Sequence, residues 1–543
     1  MAGFRLFSSI TDDFPNVLAD PQPRRAAVAS ARWLLLGLFV LCVVPRLLMA
    51  QKITDVCPDG VLYIQLAKSL EHGDVQGSLR EMRLNTFPVL LLGLHRLGLP
   101  WELAGKVWGV IISSLTVLPL FGLARRQFND RVAVVACLLY AFHARMIQWS
   151  PELIRDPTFW FLFTLSLYLL WRAVTEVRLT FFAFGGVTLV LSFLTRVEGV
   201  FLLLPLLLWS AWRYAALRTA RGRLAQGVAV ALLAFPLFFV VLNVTWLHRH
   251  PHWEFSRVTP FEIAQGWLQY MAGQSPNVPM VEAPLRMSAR ELSWEFLHTA
   301  AQGLDAVFAL LMFAGIWLYR RIWLRRDYQA LFYTSLMITA GMWIHLWYAQ
   351  ISSNRYILPV VLMGSVFAAQ ALLSLSVLCG RILRWLGWGE NREGLIAAGL
   401  LLAVGILGTS EALSCNFGYR ASEPQLGNWI HARFGPAPNL LGSDGVTMVI
   451  GYYAQGDYRV FPIFASDSAI LAMTRQYQPD AVLLLVTNRM RRIKPDHYRP
   501  LLEKMKDLGF EAVDPSQLPS GCERLVVLAR RVNQQVASRP RGS

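Results

Sequence analysis

Apolar runs of about 20 residues recur between positions 31 and 412, broken by short basic loops, and runs of that length suit helices that cross a bilayer. They lie at 31–50, 104–124, 131–149, 157–174, 179–195, 197–214, 225–246, 302–320, 328–349, 356–379 and 394–412. The pattern predicts a polytopic α-helical membrane protein of about eleven spans. Only Arg196 separates 179–195 from 197–214, which predicts a tight hairpin. The first run follows about thirty polar-to-mixed residues and further spans follow it, so it reads as a retained span, not a cleaved signal peptide.

Composition agrees. The 543 residues are 55% hydrophobic and 16% charged, against about 25% charged in soluble domains. A net charge of +16 would suggest a nucleic-acid partner in a soluble chain. Here the basic residues sit between apolar runs, so they are topology signals and no nucleic acid is expected. Arg24, Arg25 and Arg32, then Arg125, Arg126 and Arg131, then Arg172 and Arg178, all fall on one side if the count is eleven. Arg213 to Arg223, Arg320 to Arg326 and Arg381 to Arg392 fall on the same side. By the positive-inside rule that side is cytoplasmic, with residues 1–30 as a cytoplasmic N-terminal segment. None of the six cysteines forms a CxxC pair, which argues against a zinc site.

The opposite face receives loops 51–103 and 247–301, too long for simple connections, the turns at 150–157, Arg196 and 350–355, and everything after about 413. Both long loops mix Trp, Leu and His with charges, which suits helices lying in the interface. Residues 413–531 change character. Ser422 to Gln425 resembles a capping box, 481–486 and 524–529 read as strands, and 497–508 reads as a helix. A small extracytoplasmic α/β domain is expected there, followed by a disordered basic tail at 532–543. Cys415 and Cys522, both in this domain, are a candidate disulfide pair.

The stretch Thr54-Asp55-Val56-Cys57-Pro58-Asp59-Gly60-Val61-Leu62-Tyr63 follows the first span directly. It opens a helix with Leu62, Leu66 and Leu70 on one face, for which Asp59 would be the N-cap. Asp55, Asp59, Glu152, Arg155, Asp156, Arg196, Glu198 and Arg355 all fall at the outer ends of spans. Each has a plain structural explanation: a cap, an Arg155–Asp156 or Arg196–Glu198 ion pair, an interfacial Arg355-Tyr356 anchor. Four hairpins converging charge on one face of a bilayer is harder to explain that way, because such charge is costly unless paired, watered or used. Arginine forks grip phosphate bidentately, and a carboxylate can take a proton from an attacking hydroxyl. Together they suit group transfer from a membrane-anchored phosphate, which, unlike glycoside hydrolysis, needs only one catalytic carboxylate.

These residues resemble a known family. Asp59-Gly60-Val61-Leu62-Tyr63, His72-Gly73-Asp74, Asn85-Thr86-Phe87-Pro88, Glu152 to Pro157, Arg196-Val197-Glu198-Gly199 and Asn354 to Pro359 occur in that order. The ordered set, over about 31–380, is similar to the GT-C superfamily of polyprenyl-phosphate-sugar-dependent glycosyltransferases, in the bacterial protein-mannosyltransferase or aminoarabinose-transferase branch. The resemblance implies Asp59 as general base, a better match than Asp55. It implies Arg355, with Arg155 and Arg196, as ligands of the donor phosphate. Tyr63, Glu152, Asp156, Glu198 and Tyr356 would line the pocket. The family's acidic pair is here Asp59-Gly60, so a second carboxylate must come from elsewhere, Asp55 or Asp156. No Trp-Trp-Asp signature of the oligosaccharyltransferase branch is present. No cofactor is read from the residues; dependence on a divalent metal stays open, since the carboxylates are too few and too scattered to read as a site.

The reading is an inverting glycosyltransferase of the bacterial inner membrane. Its donor would be a polyprenyl-phosphate-linked sugar and its acceptor a lipid, a glycan or a protein. The rivals are a transporter, which should show inverted repeats and mid-membrane broken helices, and a scaffold whose outer domain binds a partner.

Overall fold

A computed structural model describes residues 28–75, 78, 85–217, 219–245, 288–320, 326–349, 353–386, 392–414, 418–462, 465–486 and 498–531. The N-terminal segment before 28, most of loop 247–301, Cys415 and the tail from 532 lie outside the described residues. The chain divides into two compact units: 1–52, 66–267 and 292–415 in one, and 53–65, 268–291 and 416–543 in the other.

The first unit is helical: α1 Val28–Lys52, the last residues of α2 Pro58–Glu71 from Leu66 on, α3 Thr86–Arg96, α4 Trp101–Leu115, α5 Val117–Gln127, α6 Asp130–Ala141, α7 Ala144–Trp149, α8 Asp156–Glu176, α9 Leu179–Thr195, a 3-10 turn Val197–Leu202, α10 Leu203–Ala216 and α11 Arg221–Thr245. After the undescribed loop come α12 Ala289–Leu304, α13 Ala306–Leu318, α14 Arg326–Ala349, a 3-10 turn Asn354–Ile357, α15 Leu358–Trp385 and α16 Glu393–Ser414. One apolar core runs from Leu38 and Cys42 of α1 through Tyr140, Trp160 and Phe163 to Val366 and Leu372 of α15.

Every expected span is helical, but the count of eleven is not reproduced by length and apolarity. Among the described residues, seven helices are long and apolar enough to cross a membrane, or eight if one bent pair is a single span. Local causes account for the shortfall. The run 131–149 breaks at Phe142-His143 between α6 and α7. The helix α9 has 17 residues. The run 302–320 is broken at Asp305, where φ is +63° and the side chain caps α13, so α12 and α13 meet at 93°. The helix α14 has 24 residues but is not among the seven. The protein is a multi-pass membrane protein.

The second unit holds a five-stranded sheet. Helix α17 Gly418–Phe434 precedes β1 Asn439–Ser443, α18 Val446–Tyr453, β2 Asp457–Phe461, α19 Asp467–Tyr477, β3 Ala481–Leu485, α20 Arg499–Asp507, β4 Phe510–Ala512 and β5 Leu525–Arg530. The order is β2-β1-β3-β5-β4, with β1, β2 and β3 parallel and β5 and β4 antiparallel. The unbroken apolar run of β3 suits a strand covered on both faces. Leu441, Val482 and Leu484 pack with Ile470, Leu501 and Met505 on one face. Leu440, Ala481 and Leu483 pack with Leu426, Ile430 and Ile450 on the other. The expected strands and the helix at 499–507 are present. The capping box is not: Ser422 lies inside α17, and its hydroxyl donates to the Gly521 carbonyl at 3.2 Å. Pro424 lies inside this helix, where proline normally breaks one, and so pointed to a later start. Cys522 is a free thiol, buried, and burial pushes its pKa up.

Candidate active site

In the membrane unit, the helix ends bring three turns together. Asp156 opens α8, followed by Pro157, a residue suited to a first helical turn. A carboxylate there is also favoured by the positive end of the helix dipole. Helix α9 stops at Thr195 because Arg196 is extended, with φ −148° and ψ 137°, and the chain then reverses through Val197–Leu202. Gly199 makes that reversal fit: a Cβ there would lie 2.6 Å from the Phe193 amide nitrogen.

Arg196 is the hub. Its Nη1 donates to Asp156 Oδ1, forty positions earlier in the chain, and its Nη2 and Nε both donate to Glu198 Oε1, the latter at 3.2 Å. Its side chain is 7% exposed, that of Asp156 3% and that of Glu198 26%. The expected Arg196–Glu198 pair is present. Asp156, however, pairs with Arg196 and not with its neighbour Arg155. Three of the five guanidinium N–H donors thus go to two carboxylates, which hold the Arg196 side chain in place.

Arg355 sits in the turn Asn354–Ile357 that leads into α15. Its guanidinium carbon lies 5.4 Å from the Tyr356 ring centroid and 5.8 Å from that of Trp149, within cation–π range. Arg196 approaches the same Tyr356 ring at 5.1 Å. Both guanidinium groups thus lie within cation–π range of one aromatic ring. Trp149 Nε1 donates to Asn354 Oδ1 at 3.0 Å, tying this turn to the end of α7. Arg155 and Arg355 are partly exposed, whereas Glu152 is 2% exposed. Arg155 acts electrostatically on Glu198. The structure therefore brings Arg155, Asp156, Arg196, Glu198, Arg355 and Tyr356 into one set.

Asp55, Asp59 and Tyr63 belong to the other unit. Asp55 and Tyr63 are buried, at 3% and 2% exposed, and Asp59 is partly exposed. The capping role expected for Asp59 is not seen: α2 starts at Pro58, so Asp59 is a first-turn residue. Proline is favoured at the first helical position, which moves the start back from Gly60 to Pro58. Among the described residues no group of three or more His, Cys, Asp or Glu is arranged to hold a metal ion.

The sequence reading missed Arg46. It is fully buried within α1, donates from Nε to Ser150 Oγ at 3.0 Å, and from Nη1 to the carbonyls of Cys42 and Ala141 at 2.9 Å each. It lies 5.0 Å from the Tyr140 centroid. It anchors the turn that leads into Glu152 to Asp156. A lone arginine inside an apolar run was the available signal.

Residues 96–246 match the family model described as dolichyl-phosphate-mannose-protein mannosyltransferase. No curated protein matches the chain. Among solved structures, the chain is similar to the oligosaccharyltransferase of Archaeoglobus fulgidus in complex with zinc and sulfate, at 14% identity over 89% of this chain and 72% of that one, with a TM-score of 0.57. It is similar to ArnT from Cupriavidus metallidurans bound to undecaprenyl phosphate, at 17% identity over 92% and 98%, with a TM-score of 0.55. It is also similar to the archaeal oligosaccharyltransferase AglB in complex with an inhibitory peptide and a dolichol-phosphate, at 13% identity over 90% and 74%, with a TM-score of 0.52. The family model spans Glu152 to Asp156 and Arg196 to Glu198 but neither 53–65 nor Arg355. The chain therefore carries the fold of the GT-C superfamily, as its motifs led one to expect.

Proposed function

We propose that the protein is an inverting glycosyltransferase that moves a sugar from a polyprenyl-phosphate donor to the hydroxyl of a lipid, glycan or protein acceptor. The observation that carries this reading is the arginine and carboxylate set around Arg196 and Tyr356, on a fold shared with proteins solved with polyprenyl phosphates. Arg355 with Arg155 grips the donor phosphate, and Arg196, fixed by Asp156 and Glu198, shapes the pocket with Glu152 and Tyr356. Asp59 takes the proton of the acceptor hydroxyl, with Asp55 as its nearest alternative in the chain. The acceptor oxygen bonds to the anomeric carbon as the carbon–oxygen bond to phosphate breaks. The bonding pair stays on the phosphate, whose added charge the arginines stabilise. A single in-line displacement inverts the anomeric centre.

The test is release and transfer of sugar from radiolabelled polyprenyl-phosphate sugar by the purified full chain in detergent. Absence of both, with intact donor binding, would turn the reading towards a lipid-phosphate carrier. Placement in a bacterial inner membrane, with the N-terminus cytoplasmic and the C-terminal domain outside, is tested by alkaline phosphatase fusions. Activity is expected after residue 416 and none after Arg223; the reverse would invert every site residue.

A further inference from the structure

We infer that the C-terminal α/β domain is a positioning device for the carboxylate stretch at 55–59, with Tyr453 and Tyr458 as its positioning residues. This rests on the glycosyltransferase reading for its functional half and on geometry for the rest. Residues 53–65 group with residues from 416 onward, not with the span that precedes them. Three contacts bracket Asp59. The Val56 amide donates to Tyr453 Oη at 3.2 Å. Pro58 lies at the β1–α18 turn, where a Cβ on Gly445 would stand 3.7 Å from its Cγ. Tyr458 Oη donates to Gln65 Oε1 at 2.5 Å. In open parallel sheets the carboxyl ends of strands, where the strand order reverses, are where ligands dock. Here β1 is flanked by β2 and β3, and its carboxyl end receives the chain's own Pro58.

The platform that holds these tyrosines is itself stiff. Helix α17 approaches α18 so closely that a Cβ at Gly427 would lie 2.7 Å from Tyr453 Cβ and 2.8 Å from the Ile450 carbonyl oxygen. The His431 ring bonds the Ala454 carbonyl at 2.9 Å, fixing the end of α18 beside Tyr453. Tyr458 stands on β2 with its ring against Gly451 of α18. A short segment after a membrane span has few means of holding one conformation. Backbone and side-chain bonds to a folded sheet domain supply them, which is the preorganisation a general base needs.

The experiment uses the full chain. Tyr453→Phe keeps the ring and removes the hydroxyl; Tyr458→Phe does the same at the other end. Hydrogen exchange is followed over residues 53–65, and turnover is measured with donor KM separately. The expected result is exchange at the Val56 amide about 2- to 10-fold faster in Tyr453→Phe, the worth of one neutral hydrogen bond, with kcat lowered and donor KM unchanged. A Tyr458→Phe and Gln65→Leu double-mutant cycle should be non-additive, since both remove the same bond. Unchanged exchange over 53–65 overturns the inference whatever turnover does. Faster exchange with unchanged kcat, in a protein that Asp59→Asn inactivates, overturns the positioning role. A fully active Asp59→Asn protein would instead break the base assignment, while the exchange result still decides whether the domain holds the segment.

Discussion

The two groups of candidate chemistry are assembled in opposite ways. In the membrane unit, Arg196 meets Glu198 two residues away and Asp156 forty residues away, all at the ends of consecutive helices. In the other unit, Val56 is held by Tyr453, 397 residues later in the chain. The first arrangement is a product of hairpins, and its charges show in the sequence as charges beside apolar runs. The second depends on a sheet domain whose relation to the first loop leaves no local mark. Under the proposed function the two groups have separate duties: the arginine set would be a fixed binding surface for an anion, and the carboxylate stretch a segment that must be held in place.

The substitution with the largest expected effect tests the second group. Asp59→Asn removes the basic oxygen but little of the fold, since a first-turn carboxylate contributes about 0.3–1 kcal/mol through the helix dipole. Turnover should fall about 10²- to 10⁴-fold, the usual worth of a general base, with thermal stability nearly unchanged. Asp55→Asn is the control and should cost less; if it costs more, the base is Asp55.

The first group should break through stability. Arg196→Ala leaves the buried Asp156 carboxylate without its guanidinium, a loss of about 3–5 kcal/mol, read as a large drop in melting temperature in detergent. An unchanged melt would show the pair to be solvated. Arg355→Ala should act on binding instead, weakening donor affinity about 10- to 100-fold, the worth of charge-assisted hydrogen bonds, while the melt stays close to wild type. Arg355→Lys should restore only part, because Lys keeps the charge and loses the fork. Full recovery would reduce Arg355 to a point charge. The smallest effect is expected from Gly199→Ala, about 1–3 kcal/mol of overpacking against Phe193, measured by the same melt.

Some of these features were plain in the residues and some were not. The Arg196–Glu198 pair could be read because its members are two apart. The true partner of Asp156 could not, because Arg155 is its neighbour and the approach of α8 to the Val197–Leu202 turn is a matter of helix packing. Arg46 carried a signal, a charge within an apolar run, that the emphasis on span ends passed over. Asp59 looked like a cap because an aspartate before an amphipathic run usually is one, and the helix instead starts at Pro58. Ser422 looked like a cap for the same reason, and tertiary packing carried the helix past it.

By itself the sequence determined the membrane body, the position of nearly every helix and the presence of a terminal α/β domain, because apolar run length and strand composition are local quantities set by the solvent each segment meets. It also singled out the candidates for phosphate and proton chemistry, since charge beside a bilayer is costly unless paired, watered or used. Tertiary structure alone decided where helices break within apolar runs, which carboxylates Arg196 holds, and that residues 53–65 join the sheet domain. Each of these depends on contacts between residues distant in the chain, whose energies are summed only when the backbone has brought them within a few ångströms.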